Sequence, residues 1–183
     1  MYLNPAKIVV TGGPSTGKTS IISDLEKSDE ICMHEVSRVI LKEAKKNGTD
    51  NLFLDDPLLF SNRLLQGRIQ QFNNASLINS SRIFLDRGIP DIIAYLDFIN
   101  EKVPSGFIEA SQKHIYDQVF ILPPWREIYT GDTERYETYD QSKRIYQHLL
   151  KTYSDLGYDC IEVPKGSLQE RIDFLITHAS HTE

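Results

Sequence analysis

Residues 9–20, VVTGGPSTGKTS, set an apolar β-branched run against a glycine-rich turn, and the helical pattern of Ile21, Ile22 and Leu25 follows at once. Gly12, Gly17, Lys18 and Thr19 have the Walker A spacing G-x-x-x-x-G-K-[ST]. Few features restrict a fold as much. The turn works only between a strand and a helix, where successive N–H groups curl inward and the helix contributes the positive end of its dipole. Gly12, Gly13, Pro14, Ser15, Thr16, Gly17, Lys18, Thr19 and Ser20 are therefore the expected cradle for a nucleoside triphosphate, ATP with GTP not excluded. Lys18 reaches the β and γ phosphates, and the Thr19 hydroxyl takes a position on Mg2+. A glycine-rich link with no ligand is the competing reading, and the strand and helix on either side disfavour it.

Such a loop implies an α/β sheet, and short apolar runs alternating with longer helical periods supply one. Five strands are expected, over residues 7–11, 31–35, 82–86, 118–122 and 159–163, mostly apolar as central parallel strands covered on both faces should be. One helix opens at the loop. Another starts at Asp56, as cap, and Pro57, and runs through Leu64, Leu65, Ile69 and Phe72 with a kink or break expected along it. Pro90 opens a helix carrying Ile93, Leu96 and Ile99. Gly157 stops one containing Tyr139, Tyr146, Leu149, Leu150 and Tyr153, and SLQE at residues 167–170 has capping-box spacing before Ile172, Leu175 and Ile176. The whole chain, 1–183, reads as one domain, with a helical acceptor-side insert at approximately 36–81 and a lid at approximately 123–145.

A net charge of −6 disfavours non-specific binding to nucleic acid or an anionic membrane, so an anionic ligand must meet a local site. Cys32 and Cys160 sit in strand-like runs and read as buried reduced thiols, which fits the cytoplasm. No window approaches the about 20 apolar residues of a membrane span, and the N-terminus has no signal-peptide pattern. Self-association is left open.

The run IFLDRGIP, residues 83–90, ends a buried strand on Asp86, which can face the magnesium held by Thr19; capping the following turn is the alternative. A glutamate after it would prepare water for hydrolysis. Arg87 stands there instead and either grips a transferring or substrate phosphate or makes a structural ion pair. The chain has no N-K-x-D tetrad and no LSGGQ signature, which argues against a Ras-like GTPase and a transporter ATPase, so transfer to a small acceptor fits better.

HEVSR, residues 34–38, leaves the second strand at the same sheet edge. Glu35 can accept the proton of an acceptor hydroxyl, with Arg38 binding substrate or ordering Glu35; a local Glu35–Arg38 pair is the alternative. After the fourth strand, Arg126, Arg135, Lys143 and Arg144 are scattered among aromatic residues. Arg126 and Arg135 suit a basic lid that closes over phosphates, whereas Lys143 and Arg144 read as a solvated face. The histidines lack zinc-site spacing, His34 reads as structural, and Tyr139, Tyr146 and Tyr153 read as packing.

TGGPSTGKTS, HEVSR, FLDRGIPDIIAY, VFILPPWREIYTGDTERYET and LGYDCIEVPKGSLQERIDFL together resemble the AAA-type P-loop family that includes the nicotinamide riboside kinase domain of NadR-type proteins. The resemblance spans nearly the whole chain. It implies a three-layer P-loop NTPase fold with a five-stranded parallel sheet of nucleoside/nucleotide kinase type. It also implies that Lys18 and Thr19 serve ATP and magnesium, Asp86 and Arg87 form the D-R pair, Glu35 and Arg38 the acceptor-side E-x-x-R, and Arg126 and Arg135 the lid. The expected activity is ATP- and magnesium-dependent phosphoryl transfer to a small metabolite such as nicotinamide riboside. The alternative is a nucleotide-dependent regulatory switch or slow NTPase acting through a protein partner.

Overall fold

The structure, a computed structural model, describes residues 4–49, 52–129 and 137–181. Strands Ala6–Gly12 (β1), Cys32–Met33 (β2), Arg82–Asp86 (β3), Gln118–Leu122 (β4) and Ile161–Glu162 (β5) form one sheet in the order β2-β3-β1-β4-β5, every pairing parallel. The three inner strands lie where the apolar runs predict them. The outer two shrink to two residues each, because β2 pairs only with β3 and β5 only with β4.

Side chains on β1 alternate between two cores, as the strand period requires. Val9 joins Leu85 and Ile121 on one face, under helices Pro57–Ala75 (α4), Pro90–Phe98 (α5) and Tyr139–Asp155 (α7). Ile8 and Val10 join Phe84, Phe120 and Leu122 on the other, under Lys18–Lys27 (α1) and Leu168–His178 (α8). A third, smaller core around Ile40, Phe60, Leu64, Ile92 and Phe107 ties Val36–Lys46 (α2), Leu52–Asp55 (α3) and Ser105–Lys113 (α6) to α4 and α5. Of these helices, α2, α3 and α4 fall within residues 36–81 and α6 does not.

The helix ends follow their sequence signals. Asp56 accepts the Leu59 amide at 2.9 Å ahead of Pro57, Ser167 and Glu170 close a capping box on α8, and Gly157, at φ +87°, follows α7. One reading is corrected. The segment from Pro57 to Ala75 is one uninterrupted helix, since Gly67 inside it lets Val36 approach rather than breaking it. Residues 139–145, within the region expected as the lid, form the start of the helix expected to contain Tyr139, with Thr138 and Gln141 closing a capping box on it. Helices α2 and α6 were not separated by the sequence pattern. Cys32 and Cys160 are free and half-buried, burial pushing their thiols up to about 12 and about 11. No helix among the described residues is long and apolar enough to cross a membrane.

Register brings the chemistry to one edge. Val10 pairs with Asp86 and Gly12 with Leu122, so the loop after β1 and the end of β3 emerge side by side.

Candidate active site

The loop from Gly12 to Thr19 is held by its neighbours as much as by its glycines. Gly12 sits at φ +147°, and a Cβ on it would lie 2.7 Å from the Leu122 carbonyl oxygen, so a side chain would force β1 and β4 apart. Lys18 Nζ donates to the Gly12 and Gly13 carbonyls at 2.7 and 2.6 Å. From α8, Arg171 Nη2 donates to the Thr16 carbonyl at 2.8 Å, while its guanidinium lies over the Trp125 ring at 5.8 Å. Helix α1 begins at Gly17 with no side-chain cap, which leaves its first amides for an anion. Burial, with the charge of Arg87 second, lowers the Lys18 ammonium to about 7.

Asp86 ends β3 beside this loop. Its Oδ1 is buried and has no hydrogen-bond partner, and burial raises its carboxyl, with Glu35 adding to the effect. An orphaned carboxylate oxygen at the same cleft as the Thr19 hydroxyl suits Mg2+, which takes one or two carboxylates and fills its remaining positions with phosphate oxygens and water.

Arg87 occupies the left-handed region at φ +75°, a conformation costly for a side chain that bears a Cβ. Its surroundings hold it there. The backbone N–H donates to the Val10 carbonyl at 3.1 Å. The guanidinium pairs with Glu35 through Nε, and Nη1 reaches Asp91 Oδ1 and the Gly12 carbonyl at 3.3 Å. Arg87 therefore joins Glu35 to the phosphate loop.

Glu35 caps α2, accepting the Ser37 amide at 3.4 Å. Its second cation is Arg68 of α4, at 2.9 Å, and Arg68 also donates to the Gly88 carbonyl at 2.7 Å. Burial alone would raise the Glu35 carboxyl; Arg68 and Arg87 outweigh it and hold it at about 2. The local pair with Arg38 is not formed. Arg38, exposed on α2, donates to Thr19 Oγ at 2.9 Å instead. Depression from 4.5 to about 2 means that Glu35 contributes stability above about pH 4.5 and loses it as pH falls through about 2. The difference is on the order of 3 kcal/mol. Denaturant midpoints followed down that range are expected to fall more steeply for the wild type than for Glu35→Gln; parallel acid slopes would refute the assignment.

Behind Arg87, Asp91 collects donors from three parts of the chain. The Thr11 hydroxyl donates to Oδ1, and Tyr153 Oη and the Gly88 amide donate to Oδ2 at 2.5 and 2.9 Å. Sequence reasoning missed Arg68, Asp91 and Arg171, and took Tyr153 for packing alone. The signal for Arg68 is its position four residues from both Leu64 and Phe72, on the buried stripe of α4. An arginine in that register has to have a partner.

Arg126 does not line the cleft; its guanidinium lies over the Tyr139 ring at 4.9 Å, captured by the aromatic face at the start of α7. Arg135 lies outside the described residues. Lys143 pairs with Asp140 on an exposed surface and Arg144 lies over Phe98. His34 pairs with Glu26 at 2.8 Å, away from the chemistry.

The phosphate loop, Glu35, Arg68, Asp86, Arg87 and Asp91 share a cleft of about 1090 Å³. On one side Trp125, Ile128, Leu168 and Arg171 flank the loop. On the other, Glu35, Arg68 and Arg87 form the polar part of a sleeve lined by Leu41, Phe53, Phe60, Ile92 and Tyr95.

A family model described as an AAA domain matches residues 7–171. No curated protein matches the chain. Among solved structures, the chain is similar to deoxyadenosine kinase from M. mycoides with products dCMP and a flexible dCDP bound, at 13% identity and a TM-score of 0.67, covering 93% of this chain and 97% of that one. It is similar to the NadR protein in complex with NR, at 17% identity and a TM-score of 0.68, covering 96% of this chain and 51% of that one. It is also similar to thymidylate kinase from Ehrlichia chaffeensis, at 16% identity and a TM-score of 0.64, covering 96% and 98%. The chain thus spans about half of the NadR chain it matches. At these identities the likeness is one of fold: the parallel sheet, with helices on both faces, of nucleoside and nucleotide kinases.

Proposed function

The chain belongs to the AAA domain family, and on that premise we propose that it transfers the γ-phosphoryl group of ATP to a hydroxyl of an unphosphorylated nucleoside, with nicotinamide riboside the first candidate. The observation that carries the proposal is the Arg68–Glu35–Arg87 cluster, set between the phosphate loop and an aromatic sleeve. Lys18, the loop amides and the start of α1 hold the triphosphate. Thr19 and Asp86 hold Mg2+, which when bound offsets the charge of the β and γ phosphates. Glu35, at about 2, is too weak a base to take a proton early; it accepts the hydroxyl's hydrogen bond and orients the oxygen for in-line attack. Arg87 spans acceptor and loop and stabilises the moving group. A loose phosphoryl-transfer transition state asks for such positioning more than for base strength.

The sleeve favours a nucleoside over a nucleotide. A phosphorylated acceptor needs a cation to receive it, and the arginines lining the cleft already have partners: Arg68 in Glu35 and Gly88 through its terminal nitrogens, Arg87 in Glu35 and Asp91, Arg38 in Thr19 and Arg171 in Thr16. Glu137, close enough to Tyr95 to raise its phenol to about 12 after burial, adds negative charge among aromatic rings, which suits a cationic base such as nicotinamide. The NadR structure with NR supplies the candidate. In an ADP-release assay across nucleosides and their monophosphates, nucleosides are expected to raise turnover and monophosphates to leave it at background. Stimulation by monophosphates alone, or by neither, would sink the proposal.

A further inference from the structure

We infer that Arg38 is a built-in rival of the divalent cation for Thr19, so that its side chain sets how tightly the metal–triphosphate complex is held. The inference rests on the proposed reading of Thr19 and Asp86 as the metal residues and is independent of the acceptor's identity. Arg38 projects from the first turn of α2, and its Nη2 donates to Thr19 Oγ at 2.9 Å. Its charge also lies close enough to Asp86 to favour that carboxylate. One guanidinium thus serves both groups that the metal would use. Asp86 Oδ1, buried and without a hydrogen-bond partner, is not satisfied by it.

A guanidinium bonded to a hydroxyl and a divalent ion on the same oxygen would repel at contact distance. The two occupancies therefore exclude each other, and the apparent dissociation constant of the metal is the intrinsic one divided by the fraction of molecules in which Arg38 has left Thr19. The exchange is a side-chain movement rather than a shift of α2. Glu35, which caps that helix, is bound to both Arg68 and Arg87, so the helix start is anchored while the exposed Arg38 stem is not. Thr19 follows Lys18 in the chain, so the displaced fork stays beside the phosphates. A metal held by Thr19 and Asp86 would thereby leave the Arg38 charge free of Thr19.

The test uses the full chain, Mn2+ as the probe ion and the β,γ-imido analogue of ATP, with bound and free Mn2+ resolved by electron paramagnetic resonance. Arg38→Ala and Arg38→Gln remove the rival charge without disturbing a buried group, and each is expected to tighten Mn2+ by about tenfold. Unchanged or weaker Mn2+ affinity in both variants overturns the inference, as does an absence of Mn2+ binding in wild type and variants alike. If Mn2+ tightens while no nucleoside accelerates ADP release, the inference stands and the transfer proposal falls.

Discussion

Arg87→Ala is expected to slow single-turnover phosphoryl transfer by about 10³-fold, at the low end of what an arginine acting on a transferring phosphoryl contributes, while triphosphate affinity changes far less. The split follows from its contacts. Arg87 reaches the Gly12 carbonyl and Glu35 but donates no backbone group to the loop that holds the ground-state phosphates. Arg87→Lys is not expected to rescue it. The planar fork addresses Glu35, Asp91 and the loop from different nitrogens, and an ammonium at the end of a single stem cannot. Tyr153→Phe offers a milder version of the same test, since it removes one donor from Asp91 and leaves every ring contact in place. A lost affinity that accounts for the whole rate change would show that Arg87 binds the triphosphate rather than the moving group.

Lys18→Met is expected to abolish stabilisation by the triphosphate. For the wild type at about one hundred times the dissociation constant, mass action gives about 2.7 kcal/mol, or roughly 5–10 °C in Tm for a chain of this size. The variant should show no shift at that concentration. Because burial and Arg87 hold the Lys18 ammonium at about 7, a phosphate that raises it must also draw in a proton. Triphosphate affinity should therefore weaken as pH rises from about 7 towards 9, with proton uptake visible as a dependence of calorimetric heat on buffer. An undiminished thermal shift in Lys18→Met, or pH-independent binding in the wild type, would contradict the assignment.

The inner strands were legible because a central parallel strand is apolar wherever both faces are covered, as residues 83–85 of β3 and 119–122 of β4 are. The edge strands were drawn too long for a related reason: apolar content marks burial, whereas strand length is decided by the partner ladder, and β2 and β5 have one ladder each. Asp86 was legible as a strand-end acid on the loop's side of the sheet, whereas Glu35, expected to end a strand, caps α2 two residues after β2. The contact of Arg126 with the Tyr139 ring was not legible, because composition supplies a basic residue without saying which aromatic face it will meet.

The sequence by itself determined the phosphate loop, the strand before it and the helix after it, since all three are local patterns whose spacing is fixed by backbone chemistry. It also determined that an arginine follows the strand-end aspartate. Only the tertiary structure decided what that arginine does. Glu35 meets Arg68 across 33 positions, Tyr153 meets Asp91 across 62 and Thr11 meets Asp91 across 80, so the parallel sheet had to form before these charges had partners. Those partners hold Arg87 in a left-handed backbone it would not choose alone and keep Glu35 ionised; no spacing along the chain encodes either effect.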